Sequence, residues 1–147
     1  VFPYQEVMGK KVTRFWFTDW LNCEAMNPTS LVGRVVLIAF FDPDIASSTR
    51  IWRPWEDWST HFAPKGLTLI AASSAKKETT TAYLKDMDLK HAVAIDGNFM
   101  MLNLFKVGVL PTFVLLDKEG KVCFVLVGRN ELFKLHKKLE EFFGPIE

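Results

Sequence analysis

The sequence predicts an α/β fold in which a mixed sheet is covered by helices on both faces. Three observations carry that expectation. The run from Val35 to Phe41 is apolar without a break, the mark of a strand buried on both faces of a sheet. A second buried strand, Leu67 to Ala72, is opened by Gly66 and follows a stretch with helical spacing, and this alternation builds parallel strands through a crossover helix. Further on, Thr112 to Leu116 and Val122 to Val127 flank Asp117-Lys118-Glu119-Gly120-Lys121, a hairpin signal with its Gly late in the turn, which adds antiparallel strands.

Taken in order, Val12 to Phe17 is β-branched and aromatic and reads as a short strand. Trp20 to Ser30, with Asn27, Pro28 and Ser30, has loop chemistry. Residues 1–29 are therefore expected to form an N-terminal extension and residues 30–147 the domain. After the first buried strand, Asp42-Pro43-Asp44 breaks the run. Arg50 to Phe62 then places Ile51, Trp52, Trp55, Trp58 and Phe62 at helical spacing, with Pro54 either in the first turn or at a kink. Lys77 to Leu89 has a weaker apolar face and three threonines, and is expected as a helix. Ala92 to Ile95 reads as a short strand and Asn98 to Lys106 as a short helix. Asn130 is placed to cap a final helix that runs to Phe143 and is stopped by Gly144-Pro145.

Composition narrows the function. The 147 residues are 49% hydrophobic, enough for one core in one globular domain. With 18 basic and 17 acidic side chains the net charge is +1, so no bulk field draws the chain to nucleic acid or to anionic lipid. The longest strictly apolar run, Val35 to Phe41, is too short to cross a bilayer, and no signal-peptide pattern stands near the start. Neither nucleic-acid binding nor membrane insertion is expected. The chain begins at Val1, so an organelle-targeting segment could precede it. Cys23 and Cys123, a hundred positions apart, form neither a CxxC motif nor a ligand cluster and fit a reduced intracellular protein. His61, His91 and His136 are scattered, so no metal and no cofactor is expected. The 13 Phe and 5 Trp exceed what one core of this length tends to need, which points to a protein partner.

Three local signals resemble the thioredoxin-like superfamily, specifically its redoxin branch of TlpA-type and tryparedoxin-type proteins. Leu31-Val32-Gly33-Arg34-Val35-Val36-Leu37-Ile38-Ala39-Phe40-Phe41 resembles the redoxin pattern L-x-G-K-V-V-L-I-x-F-W. Val107-Gly108-Val109-Leu110-Pro111-Thr112-Phe113 resembles V-x-G-x-P-T, with one extra residue before the Pro. Leu115-Leu116-Asp117-Lys118-Glu119-Gly120-Lys121-Val122 resembles the hairpin I-D-x-x-G-K-I. The resemblance spans roughly Ser30 to Gly144. It implies a thioredoxin-like fold, a cis bond before Pro111, and a site where Pro111 faces the family's W-C-x-x-C-[RK] motif.

The chemistry implied by the resemblance meets different residues here. The family carries a Pro four residues after the basic residue of that motif, and Arg50 and Pro54 have this separation. In that register Ile45 stands for the Trp, Ala46 for the nucleophilic Cys, Ser47 and Ser48 for the intervening pair, and Thr49 for the resolving Cys. Phe40 occupies the position of the buried acid of thioredoxins proper. A methyl group has no thiolate state, and a hydroxyl without an adjacent base does not attack disulfides. Phe40 to Ser47 also resembles the peroxiredoxin pattern F-F-x-P-x-x-F-T, but there the peroxidatic Cys falls on Arg50.

The expected function is a redox-inactive thioredoxin-like domain that serves as a protein-binding or structural module, as part of a larger complex. The candidate contact residues are Ser47, Ser48, Arg50, Trp52, Trp55, Leu110 and Pro111. The alternatives are a thiol-disulfide oxidoreductase or peroxidase-type enzyme using Cys23 or Cys123, and an active redoxin whose thiols have been replaced. Each candidate also has a plainer role. Ser47, Ser48 and Thr49 suit helix capping as well as anion binding. Trp52, Trp55 and Trp58 precess around their helix, so at least one is expected to be partly exposed, beside Arg50 and Arg53, as in a binding hot spot; core packing is the alternative. Cys123 suits a buried apolar position and Cys23 an incidental thiol.

Overall fold

The computed structural model describes residues 3–146. Six strands form one sheet: β1 (Asp19–Leu21), β2 (Val35–Phe41), β3 (Leu67–Ser73), β4 (Val93–Ile95), β5 (Thr112–Leu116) and β6 (Val122–Val127). Four α-helices pack on it: α1 (Trp52–Phe62), α2 (Lys77–Asp86), α3 (Met100–Leu104) and α4 (Leu132–Phe143). The strand order is β1-β4-β3-β2-β5-β6. β2 and β4 run parallel to β3, while β5, β6 and β1 pair antiparallel. This is the mixed, doubly covered sheet that the buried runs and the hairpin predict.

The unbroken apolar run of β2 supplies two cores at once. Side chains alternate across a strand, so Val35, Leu37, Ala39 and Phe41 meet Trp55, Trp58 and Phe62 of α1 and Leu135 and Leu139 of α4. Val36, Ile38 and Phe40 meet Val12, Phe15, Met101 and Phe105 on the other face. Each fully buried Phe or Leu contributes about 1.5–3 kcal/mol relative to exposure.

Helix α1 carries Pro54 as its third residue, in the first turn, where backbone N–H groups have no intrahelical acceptor to lose. The helix lies between the sheet and α4: the Trp58 Nε1–H donates to His136 Nδ1 at 3.0 Å, and the Phe62 ring stacks on Phe143 at 5.6 Å. Two neighbours bury two faces. Trp55 and Trp58 are therefore 0% and 2% exposed, and only Trp52 is left half-buried. The expectation that at least one of the three is partly exposed is met by Trp52 alone.

The N-terminal segment differs from its sequence reading. Val12 to Phe17 is not a strand; an isolated bridge joins Lys11 to Lys121, after which Val12 and Phe15 turn into the second core. The strand lies later, at Asp19–Leu21, in the stretch read as loop, because the open edge of β4 pairs with it. Beside β6, Gly9 N–H donates to Val122 O at 2.8 Å, Val122 N–H to Lys10 O at 2.9 Å, and Val12 N–H to Gly120 O at 2.9 Å. One stretch of chain thus runs from the β6 edge across the α3 face to the β4 edge.

At the far end, α4 starts after Glu131 with no side-chain cap, so Asn130 does not cap it. Asn130 lies one residue too early for its side chain to serve the first turn. Among the described residues no helix is long and apolar enough to cross a membrane.

Candidate functional site

The carboxyl ends of the parallel strands β2, β3 and β4 lie at one end of the sheet, and the chain that leaves β2 there forms a closed turn. Ser48 is fully buried. Its hydroxyl oxygen receives the Asp42 N–H at 3.0 Å and lies 2.8 and 2.7 Å from the carbonyls of Asp42 and Ile45, which can accept its proton. The Asp42 carboxylate accepts the Asp44 N–H at 2.9 Å and the Ser74 Oγ–H at 3.1 Å. Residues Ala46–Thr49 form one 3-10 turn, closed by Thr49 Oγ1–H donating to Ala46 O at 2.8 Å. Ala46, Ser47 and Arg50 are exposed and Thr49 is half-buried.

The register of β2 with β5 brings the second half of the site to the same end. Phe40 pairs with Thr112, so Pro111 sits beside the point where the chain leaves β2. The Leu110–Pro111 bond is cis. Thr112 Oγ1–H donates to Val109 O at 2.6 Å and Gly128 N–H to Pro111 O at 2.7 Å. Among the described residues, no backbone hydrogen bond engages Leu110. Pro111 is buried and Leu110 half-buried. Exposed apolar side chains at this end include Ile45 (42%), Val109 (52%) and Val127 (39%).

Three of the seven candidate contact residues, Ser48, Trp55 and Pro111, are buried. Ser48 is consumed by the turn, where it neither caps α1 nor faces an anion, and Trp55 belongs to the core. Trp52 is reachable in part, but its ring is engaged: its Nε1–H donates to Tyr83 Oη at 2.7 Å, and it stacks on His91 at 5.9 Å with 3° between planes. His91 Nε2 in turn lies 2.8 Å from Glu56. This aromatic and polar chain was not legible, because its members are spread over three elements. Asp42 and Ser74 were missed as well, although Asp42-Pro43-Asp44 carries the signal of an Asx-turn. Asp96, also missed, is buried at the same end, where its carboxylate accepts the N–H groups of Met101 and Leu102 and so starts α3.

The thiols lie elsewhere. Cys23 follows β1, whose Leu21 pairs with Val93, the first residue of β4. Cys123 sits in β6 next to the pairing of Val122 with Leu116, which faces Val36 near the start of β2. Both are therefore at the end of the sheet opposite Ala46 and Thr49. They are also on opposite edges of six strands, separated by about 24 Å at about 4.8 Å per strand spacing, far beyond disulfide reach. Burial pushes the Cys23 thiol up. Burial, and then the nearby Asp117 charge, push Cys123 up to about 11. An exchange nucleophile needs the opposite shift.

A family model described as Thioredoxin-like matches residues 33–122, more than half of the chain and all of the site from Phe40 to Thr112. The chain belongs to the thioredoxin-like family. Within it, the three motifs and the relatives place the chain in the redoxin branch. The thiol-disulfide oxidoreductase ResA of Bacillus cereus is 27% identical over 91% of this chain and 78% of its own length. NHL repeat-containing protein 2 of Gallus gallus is 29% identical over 80% of this chain, which spans only 17% of that protein. Among solved structures, a thioredoxin-like superfamily protein superposes with a TM-score of 0.82, covering 92% of this chain and 97% of its own at 15% identity. The last likeness concerns the fold alone.

Proposed function

We propose that this thioredoxin-like domain is redox-inactive and binds an extended segment of a partner protein at the end of the sheet where Ala46–Thr49 faces Pro111. One observation carries the reading: the turn that would hold a dithiol has a methyl group at Ala46 and, at Thr49, a hydroxyl spent on Ala46 O. Among the described residues, no side chain hydrogen-bonds to that hydroxyl, so no general base is positioned to take its proton. Binding has support of its own. The unengaged backbone of Leu110 offers an edge for strand addition, and Ile45, Val109 and Val127 supply apolar surface around it. Arg50, exposed and in no ion pair among the described residues, adds a cation at the rim. That such a domain can be a small part of a larger whole is illustrated by the NHL repeat-containing relative.

A second reading is favoured by the names of the ResA relatives: a thiol-dependent oxidoreductase working through Cys23 or Cys123. The raised thiol pKa values weigh against it, as does the lack of a resolving partner within reach. The test combines two measurements on the purified chain. Under the proposal it does not accelerate reduction of a protein disulfide by a small thiol or consume peroxide faster than free cysteine. A partner captured from the native source is lost in Arg50→Glu or Ile45→Asp variants that melt normally. Turnover that vanishes in Cys23→Ser or Cys123→Ser supports the second reading, and a partner retained by every folded variant removes the first.

A further inference from the structure

At the opposite end of the sheet, where β2 begins, lies a cavity of about 490 Å³ that takes no part in the site above. Its floor is apolar, formed by Val12, Phe15, Leu31, Val36 and Leu116. The cavity exists because this face of the sheet is thinly covered. Helix α3 has five residues and spans only about 7.5 Å, and the N-terminal segment crosses the face as a single extended chain. Val36 and Leu116 line the cavity with only 3% and 1% of their surface exposed. The walls are nevertheless fixed, since Val12 N–H donates to Gly120 O at 2.9 Å and Gly33 N–H to Lys118 O at 3.1 Å. Both walls are tied to the β5–β6 turn, so a ligand here meets a preformed space and orders little on entering.

The charges at the mouth are unevenly answered. Asp117 accepts the N–H groups of Glu119 and Lys121, and Glu119 pairs with Lys121 at 3.2 Å. Arg34 gives its Nε–H to Thr68 Oγ1 and its Nη2 to the carbonyls of Ala63 and Leu67. Lys11 and Lys118 also line the cavity. Both are exposed, and neither joins an ion pair among the described residues. An apolar floor under two unanswered ammonium groups is complementary to one ligand chemistry.

We propose that this cavity binds an amphipathic carboxylate of the medium-chain fatty-acid type, with its chain on Val12, Phe15, Leu31, Val36 and Leu116 and its head between Lys11 and Lys118. The volume falls within the roughly 300–1,000 Å³ of small-molecule sites. A neutral lipid leaves both ammonium groups without a counter-charge, and a small inorganic anion leaves the floor wet. The two sites are about 20 Å apart along β2, at about 3.3 Å per residue, so this proposal stands or falls apart from the reading of the other end.

The test is titration calorimetry of the full chain with octanoate and with 1-octanol. Octanoate is expected to bind more tightly than the alcohol of equal length. Joint Lys11→Glu and Lys118→Glu substitution is expected to weaken octanoate by about tenfold while leaving octanol unchanged. Leu31→Trp, at a half-buried turn position, fills the cavity and is expected to remove both ligands; if that variant melts early, the charge-reversed pair alone decides. No heat at millimolar octanoate, equal affinity for acid and alcohol, or octanoate binding indifferent to the charge reversal overturns the proposal.

Discussion

Installing the missing dithiol tests the geometry of the site directly. In Ala46→Cys/Thr49→Cys the two thiols occupy the first and fourth residues of one 3-10 turn, and the Thr49 side chain already reaches Ala46 O at 2.8 Å. A turn of this kind brings its terminal Cα atoms within about 7 Å, compatible with the 4.4–6.8 Å that a disulfide requires. Closing a four-residue loop removes about 6 cal/mol/K of unfolded-chain entropy, worth about 1.9 kcal/mol at 25 °C. The oxidised double variant is then expected to melt about 4–8 °C above its reduced form. Thiol titration of the unfolded protein should fall from four groups to two on oxidation, because Cys23 and Cys123 are too far apart to pair, and peptide mapping should join positions 46 and 49. The same variant should gain a measurable rate of protein-disulfide reduction that the parent lacks. A double variant that keeps four thiols under oxidant, or that links position 46 or 49 to Cys23 or Cys123, refutes the placement of the site.

Other expectations follow from single groups. Ser48→Ala leaves the buried Asp42 N–H without its acceptor and should cost about 1–3 kcal/mol, read as a lower urea midpoint at unchanged slope; an unmoved midpoint means that the turn is not held by this hydroxyl. Trp55→Ala, deep in the core, should cost about 3–5 kcal/mol and show as lost stability, not as a selective binding defect. Cys123, pushed up to about 11 from an ordinary 9.0, should be alkylated at pH 8 about a hundredfold more slowly than an unshifted thiol, by mass spectrometry of the labelled peptide. Because the folded state holds that proton more tightly, the unfolded state binds fewer protons between pH 9 and 11, so stability should fall as pH rises through this window, and Cys123→Ser should flatten the fall.

The sheet was legible where burial writes itself into local sequence. The apolar run of β2 needs no partner to be recognised, since a strand covered on both faces has no polar side to show, and β3 is marked by Gly66 ahead of a largely apolar stretch. The hairpin of β5 and β6 is likewise announced by Asp117 and Gly120. The N-terminal segment was not legible, because Asp19–Leu21 becomes a strand only through an edge supplied more than seventy residues later. For the site, the absence of thiols at positions 46 and 49 was readable once Arg50 and Pro54 set the alignment. The fates of Ser48 and Trp55 were not, for these depend on which neighbours close over them: the carbonyls of Asp42 and Ile45 in one case, and α4 lying against α1 in the other.

The path of residues 9–21 has a consequence for solubility. A strand edge with free N–H and C=O groups is a template for another chain, and one continuous stretch of this chain lies on both far-apart sides of the sheet. Residues 9–12 lie along the start of β6 and Asp19–Leu21 along β4. A proteolytic cut between them leaves Asp19–Leu21 joined to the domain and paired with β4, but it frees residues 9–12 to leave the start of β6 and the apolar face beneath Val12 and Phe15. Damage that leaves the fold's centre untouched would thus open one side of the sheet to another chain.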